Sequence, residues 1–304
     1  MGSFVTPFDH SDAPPLSLRA LWRGALRAVG IPVGDLPAAH EIARPACRAH
    51  FERAAGMDVE TFMGIVTQDL PPLTRQRMFQ RDLDNPDLFT VAIEGDGFED
   101  VYTLNFAKGS IRPGSMRSDL RDRVTGRRMF GLRAVGGLVV SIKDMDINAG
   151  FATGAYVWAR AGVTIKEGQD FLLRKRIQGR LDAVRHRLDD DTIATVQRLI
   201  AFQQDDDLAT LAGLSQPLPN IKEDWTLCQI VESHSYSAAH MKENGFIQND
   251  TMTLGQFLLF AQKYPATIRL DNPAQMDKLE SFTRIPVRAL ANAHTALRPV
   301  APHA

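Results

Sequence analysis

The stretch Arg123-Val-Thr-Gly126-Arg-Arg128-Met-Phe-Gly-Leu-Arg-Ala-Val-Gly-Gly-Leu138-Val-Val-Ser-Ile142-Lys-Asp-Met-Asp-Ile-Asn148-Ala-Gly150-Phe-Ala-Thr-Gly154-Ala-Tyr156-Val-Trp158-Ala-Arg-Ala-Gly162-Val163 decides how this chain is read. A Gly-containing turn feeds an apolar run, Met129 to Leu138, long enough for a helix. The β-branched run Val139 to Ile142 then predicts a short strand, and a polar, Gly-containing stretch leads to Tyr156-x-Trp158. Strand, helix and strand in this order predict an α/β layer.

Upstream of this unit, Leu88 to Glu94 and Val101 to Phe106 are short β-type runs separated by Gly95-Asp96-Gly97, which predicts an antiparallel pair. Before Asn85-Pro86 the chain reads as mostly helical. Leu16 to Val29, Ala38 to Ala55 and Val59 to Val66 carry apolar residues at helical spacing, ending at Pro71-Pro72. Downstream, Leu173, Ile177, Leu181, Val184 and Leu188 form one apolar helical stripe. Further helices are predicted over Thr192 to Phe202, Leu208 to Leu214, Trp225 to Lys242 and Leu254 to Gln262, with a lone strand at Ala266 to Leu270. The expected fold class is therefore α+β: a central mixed, mostly antiparallel sheet flanked by N-terminal and C-terminal helical segments. The expected divisions are a helical extension over 1–84, an α/β core over 85–165, a helical segment over 166–216 and a mostly helical region over 217–304.

Composition bounds the function. The 304 residues are 44% apolar, enough for one large core or two modest ones. Thirty-five basic against thirty-six acidic residues leave a formal net charge of -1, which supplies no global attraction to nucleic acid or an anionic membrane. Cys47 and Cys228 are the two cysteines, far apart and without closely spaced His, so neither a disulfide framework nor a zinc module is indicated and no metal is expected. A cytoplasmic location is the natural expectation. No apolar run approaches the roughly 20 residues a membrane span requires.

With Val101 to Phe106 as a strand and Met129 to Leu138 as a helix, the loop between them delivers Thr125, Gly126, Arg127 and Arg128 to a helix start. Unpaired N-H groups there suit a pyrophosphate, and Arg123, Arg127 and Arg128 supply charge-assisted bonds. The competing reading is a solvated loop whose arginines pair with Asp119 and Asp122. Elsewhere, Asp189-Asp190-Asp191 and Asp205-Asp206-Asp207 each precede a helical segment and read as caps rather than metal ligands. Arg174-Lys175-Arg176, Arg180, Arg185, His186 and Arg187 either hold a phosphate-rich partner or form a solvated face. His234 and His240, six apart, do not share one helix face for joint metal ligation, and Ser233-His234-Ser235 says nothing about geometry.

The Arg123-x-x-Gly126 turn before an apolar helix, the following strand with Asn148 beyond it, and Tyr156 to Gly162 together resemble the GNAT-type N-acetyltransferase superfamily over roughly residues 88 to 165. The resemblance implies an acyl-CoA-dependent N-acyltransferase, with acetyl-CoA or another acyl-CoA as co-substrate and a small-molecule or protein amine as acceptor. It implies that Arg123, Thr125, Gly126, Arg127 and Arg128 receive the pyrophosphate and that Trp158 lies beside the thioester. Two positions depart from the family pattern. Arg128 stands at the second glycine position, and Trp158 stands where the family often has Tyr, which leaves Tyr156 as candidate acid. Glu94, Glu99 or Asp100 on the strand pair is the candidate base, acting through water, with Glu94 taken first, and Asp144 and Asp146 are candidate contacts for a cationic substrate. The alternative is a non-catalytic scaffold of the same fold, within a larger assembly or a mobile element.

Overall fold

A computed structural model describes residues 43–80, 85–118, 123–149, 154–218 and 251–296, and all structural statements below concern these. Seven strands make a mostly antiparallel sheet in a mixed α/β chain, and the chain divides into two compact units, cut near 146/147 and 268/269. The helices expected over Leu16 to Val29 and Trp225 to Lys242, with Cys228, Ser233, His234 and His240, lie outside the described residues.

The unit holding the decisive stretch starts with two helices, α1 (Pro45–Ala55) and α2 (Val59–Thr67). Pro45 opens α1, and Gly56 at φ 66° closes it by donating its N-H to Glu52 O. Asp58 caps α2 by accepting from Thr61 N at 2.7 Å. Four antiparallel strands follow: β1 (Leu73–Phe79), β2 (Leu88–Gly95), β3 (Phe98–Asn105) and β4 (Ser110–Ser118). The predicted hairpin is present, with Gly95 opposite Phe98 and Asp96-Gly97 forming the turn. Phe51, Phe62, Phe89 and Phe106 pack edge to face with ring centroids 5.2 to 6.0 Å apart, which ties the two helices to the sheet.

Strands β1 and β4 were not expected from the sequence. The strand β1, Leu-Thr-Arg-Gln-Arg-Met-Phe, lies at the sheet edge with Met78 its one fully buried side chain, so no alternation announces it. In β4 the Pro113-Gly114 pair reads as a breaker. The ladder instead shifts register there, Asp100 opposing Met116 and Tyr102 opposing Pro113. A Cβ on Gly114 would stand 2.3 Å from Val101 O, so the close approach at this bulge requires glycine.

The chain then enters α3 (Arg123–Val139), and the strand β5 (Asp144–Ala149) returns parallel to β4, with Ser110 opposite Asp144 and Ile111 opposite Met145. This corrects two expectations. The helix starts at Arg123 rather than Met129 and runs through Val139, and the strand falls on 144–149 rather than on Val139 to Ile142. Residues 129–135 of α3 are buried without interruption, nearly two turns, so the helix has no solvent face there. Gly136 lies against Val66 and Phe62, Arg133 against Asp100, and Gly131 against Ile285. Two C-terminal helices, α9 (Pro273–Thr283) and α10 (Val287–Ala296), belong to this unit and complete the cover of α3.

The second unit holds α4 (Gly154–Arg160), β6 (Thr164–Ile165), α5 (Phe171–Val184), α6 (Asp190–Leu199), α7 (Asp207–Ala212), the short β7 (Pro217–Leu218) and β8 (Met252–Thr253) pair, and α8 (Leu254–Leu259). The strand β9 (Tyr264–Arg269) pairs antiparallel with β6, Thr164 opposite Thr267, so it is not a lone strand. Asp189 caps α6 as expected, accepting from Thr192 N at 2.6 Å. Arg180 is buried and donates from Nη1 to the carbonyls of Phe257 (2.7 Å), Leu258 (3.3 Å) and Phe260 at the end of α8, where the helix dipole is negative.

Candidate functional site

The connection β4–α3–β5 positions the candidate site. A strand, a helix and a parallel strand form a crossover in which the head of the helix stands beyond the carboxyl end of the first strand. The two parallel strands pair at Ser110↔Asp144 and Ile111↔Met145 among the described residues, while β4 runs on to Ser118 along β3. The carboxyl half of β4 thus leads toward Arg123 without a recorded rung to β5.

At the helix head the residues fall differently from the sequence expectation. In a helix beginning at Arg123, the first-turn N-H groups, those of 123–126, have no acceptor within the helix itself. The amides of Arg127 and Arg128 enter the helical ladder instead of a turn. Their side chains are engaged as well: Arg128 Nη1 donates to Asp69 O at 2.7 Å, and the Arg127 guanidinium sits 5.3 Å from the Phe282 ring centroid. Thr125 is buried. Of the expected pyrophosphate set, Arg123, Thr125 and Gly126 fall in the first turn of α3, and the Arg127 and Arg128 side chains touch Phe282 and Asp69.

The candidate carboxylates separate by strand face. Glu94 on β2 is half-exposed, opposes Glu99 across the hairpin and lies 3.7 Å from Arg75 Nη1. Glu99 accepts a bond from Ser115 Oγ at 3.3 Å. Asp100 faces the opposite way, into α3, and binds Arg133 through both guanidinium nitrogens Nε and Nη2; the pair is buried on both sides. The same guanidinium lies 4.8 Å from the Tyr102 ring centroid. Burial pushes the Asp100 carboxyl up, against the pull of Arg133, and pushes the Tyr102 hydroxyl up with Asp100 adding to it. Asp100 is committed to Arg133 by these two bonds. That arginine had no sequence signal, being one of several in α3.

In the other unit, Tyr156 on α4 is buried at 2% exposure. Burial raises its hydroxyl, while the charge and a hydrogen bond from Arg160 lower it, and the net direction is up. A phenol so held stays protonated at neutral pH and remains a donor. Trp158 is half-buried on the same helix, and Asp144 and Asp146 lie on β5. No group of three or more His, Cys, Asp or Glu among the described residues is arranged to hold a metal ion, and no described helix is long and apolar enough to cross a membrane.

The fold and the helix-head geometry define a mixed α/β protein with a parallel β–α–β crossover joined to an antiparallel sheet. No protein-family model matches the chain, and no curated protein or solved structure was found to match it.

Proposed function

We propose that this protein is an acyl-CoA-dependent N-acyltransferase that holds the diphosphate of acetyl-CoA or another acyl-CoA at the head of α3 and transfers the acyl group to an amine. The supporting observation is the crossover itself: β4 and β5 run parallel, Ser110 opposite Asp144 and Ile111 opposite Met145, and the chain leaving β4 enters α3 at Arg123, a helix N-terminus. Anionic ligands favour that place, outside the carboxyl end of a parallel strand and at a helix N-terminus. The chemistry is direct attack. The amine nitrogen adds to the thioester carbonyl, the carbon–sulfur bond breaks, and the thiolate takes up a proton. Tyr156 is the proposed donor of that proton and Glu94, through water, the proposed acceptor of the proton lost by the amine.

One observation favours a second reading, a non-catalytic scaffold of this fold: both Arg127 and Arg128, at the heart of the expected phosphate motif, are spent on Phe282 and Asp69. Thermal melting in acetyl-CoA and in longer acyl-CoAs separates the two. Ligand at a hundredfold excess over its Kd stabilises the native state by about 2.7 kcal/mol, a rise of several degrees in Tm. The acyltransferase reading predicts that rise and its loss in Gly126→Asp, which sets a carboxylate against the diphosphate. An unmoved Tm at millimolar-scale ligand supports the scaffold.

A further inference from the structure

The two most exposed large apolar side chains among the described residues are neighbours: Phe171 at 70% and Leu172 at 59%. They open α5, directly after a turn in which Glu167, Gly168 and Gln169 are also exposed, with Gly168 at φ 73°. The packing of α5 does not need them. Leu173, Ile177, Leu181 and Val184 form its buried stripe, and Phe171 and Leu172 point out on the opposite side of the helix. Adjacent apolar side chains of this size left in water beside an exposed turn mark a contact surface.

The basic residues of the helix fall into two groups. Arg174 is paired with Asp170 and lies over the Phe202 ring, and Arg180 is buried on the carbonyls that end α8. These two hold the fold together. Lys175 and Arg176 are exposed, and each stands four residues, about 6 Å, up the helix from Phe171 and Leu172 respectively. Arg185 and His186 continue the exposed face; the exposed acids near it are Glu167 at the tip, Asp182, and, beyond the far end of the helix, Asp189, Asp190 and Asp191. An apolar pair at the end of a helix with a cationic pair one turn behind matches the depth order of a bilayer surface, acyl chains first and phosphates above them. Nucleic acid gives an aliphatic Leu172 nothing to do, and a protein partner supplies no reason for the one-turn offset between apolar and cationic pairs.

We infer that the tip of α5 docks on an anionic lipid surface, with Phe171 and Leu172 entering the interface and Lys175 and Arg176 meeting the phosphates. Co-sedimentation of the full chain with vesicles of phosphatidylcholine alone, or of equimolar phosphatidylcholine and phosphatidylserine, tests this. The wild-type chain pellets with the mixed vesicles and not with the neutral ones, and added salt weakens the binding. Lys175→Gln with Arg176→Gln lowers the partition coefficient roughly twenty-five-fold, taking about fivefold per cation at the surface. Phe171→Ser with Leu172→Ser lowers it by roughly tenfold or more. All four side chains are surface positions, so circular dichroism and melting stay unchanged. Failure of the wild-type chain to pellet with mixed vesicles overturns the inference, as does equal pelleting of either double variant. Loss of the exposed patch to self-association, or retention of a single-stranded oligonucleotide in place of vesicles, overturns it too.

Discussion

Arg133 in the middle of α3 and Asp100 on β3 form a buried ion pair, 5% and 2% exposed, that fastens the central helix to the sheet. Each partner costs desolvation, and their mutual bonds compensate. Removing one side is therefore expected to be much worse than removing both. Arg133→Met or Asp100→Leu alone should destabilise by roughly 3–5 kcal/mol in urea unfolding, while the double variant recovers most of that loss. Additive losses would show that the two residues act independently.

The glycines of α3 predict substitutions of opposite sign to the usual helix rule. Alanine in place of glycine ordinarily stabilises a helix interior by about 1 kcal/mol. At Gly136 the new Cβ would meet Val66 Cγ1 at 2.5 Å, and at Gly131 it would meet Ile285 Cδ1 at 2.8 Å. Gly131→Ala and Gly136→Ala should each cost roughly 1–3 kcal/mol by overpacking. Gly179→Ala, in α5 where nothing stands within 4 Å, should stabilise by roughly 0.5–1 kcal/mol. Thermal denaturation of the three variants reads both signs.

Those glycines explain what the sequence concealed. A helix buried all round has no polar face, so the apolar run Met129 to Leu138 was legible while Arg123 to Arg128 looked like a turn. The bond of Arg128 to the Asp69 carbonyl, 59 residues back, leaves no trace in local pattern, and neither does the contact of Arg127 with Phe282. The hairpin around Asp96-Gly97 was legible because its signal is local, as was the Asp189 cap. Strand β4 was hidden by Pro113-Gly114, which only a bulge opposite Val101 accommodates. The strand after α3 was displaced by a few residues, since Val139-Val140 fits a helix end as well as a strand.

His294 on α10 predicts an acid-sensitive native state. Burial alone lowers it from its ordinary 6.5 to about 4. The unfolded chain then binds the proton first, so stability is complete above about 6.5 and falls as pH drops toward 4, by at most about 3 kcal/mol. His294→Gln should flatten urea midpoints over that window. A wild-type profile that is already flat there would contradict it.

Arg180 predicts a loss confined to the unit it ties together. Its pKa is drawn down to about 10 by burial and by Arg176, yet it remains charged at neutral pH and satisfies the carbonyls at the end of α8. Arg180→Met leaves them bare and should cost roughly 3 kcal/mol, with hydrogen exchange accelerating first at α8. Exchange unchanged at Leu254–Leu259 would refute the assignment.

The acyltransferase account turns on whether the first-turn amides of α3 receive a diphosphate, and hydrogen–deuterium exchange with and without saturating acetyl-CoA measures those amides themselves. The account predicts protection centred on residues 123–126, abolished by Gly126→Asp. Unaltered exchange there, with the ligand either unbound or protecting another segment, would contradict it.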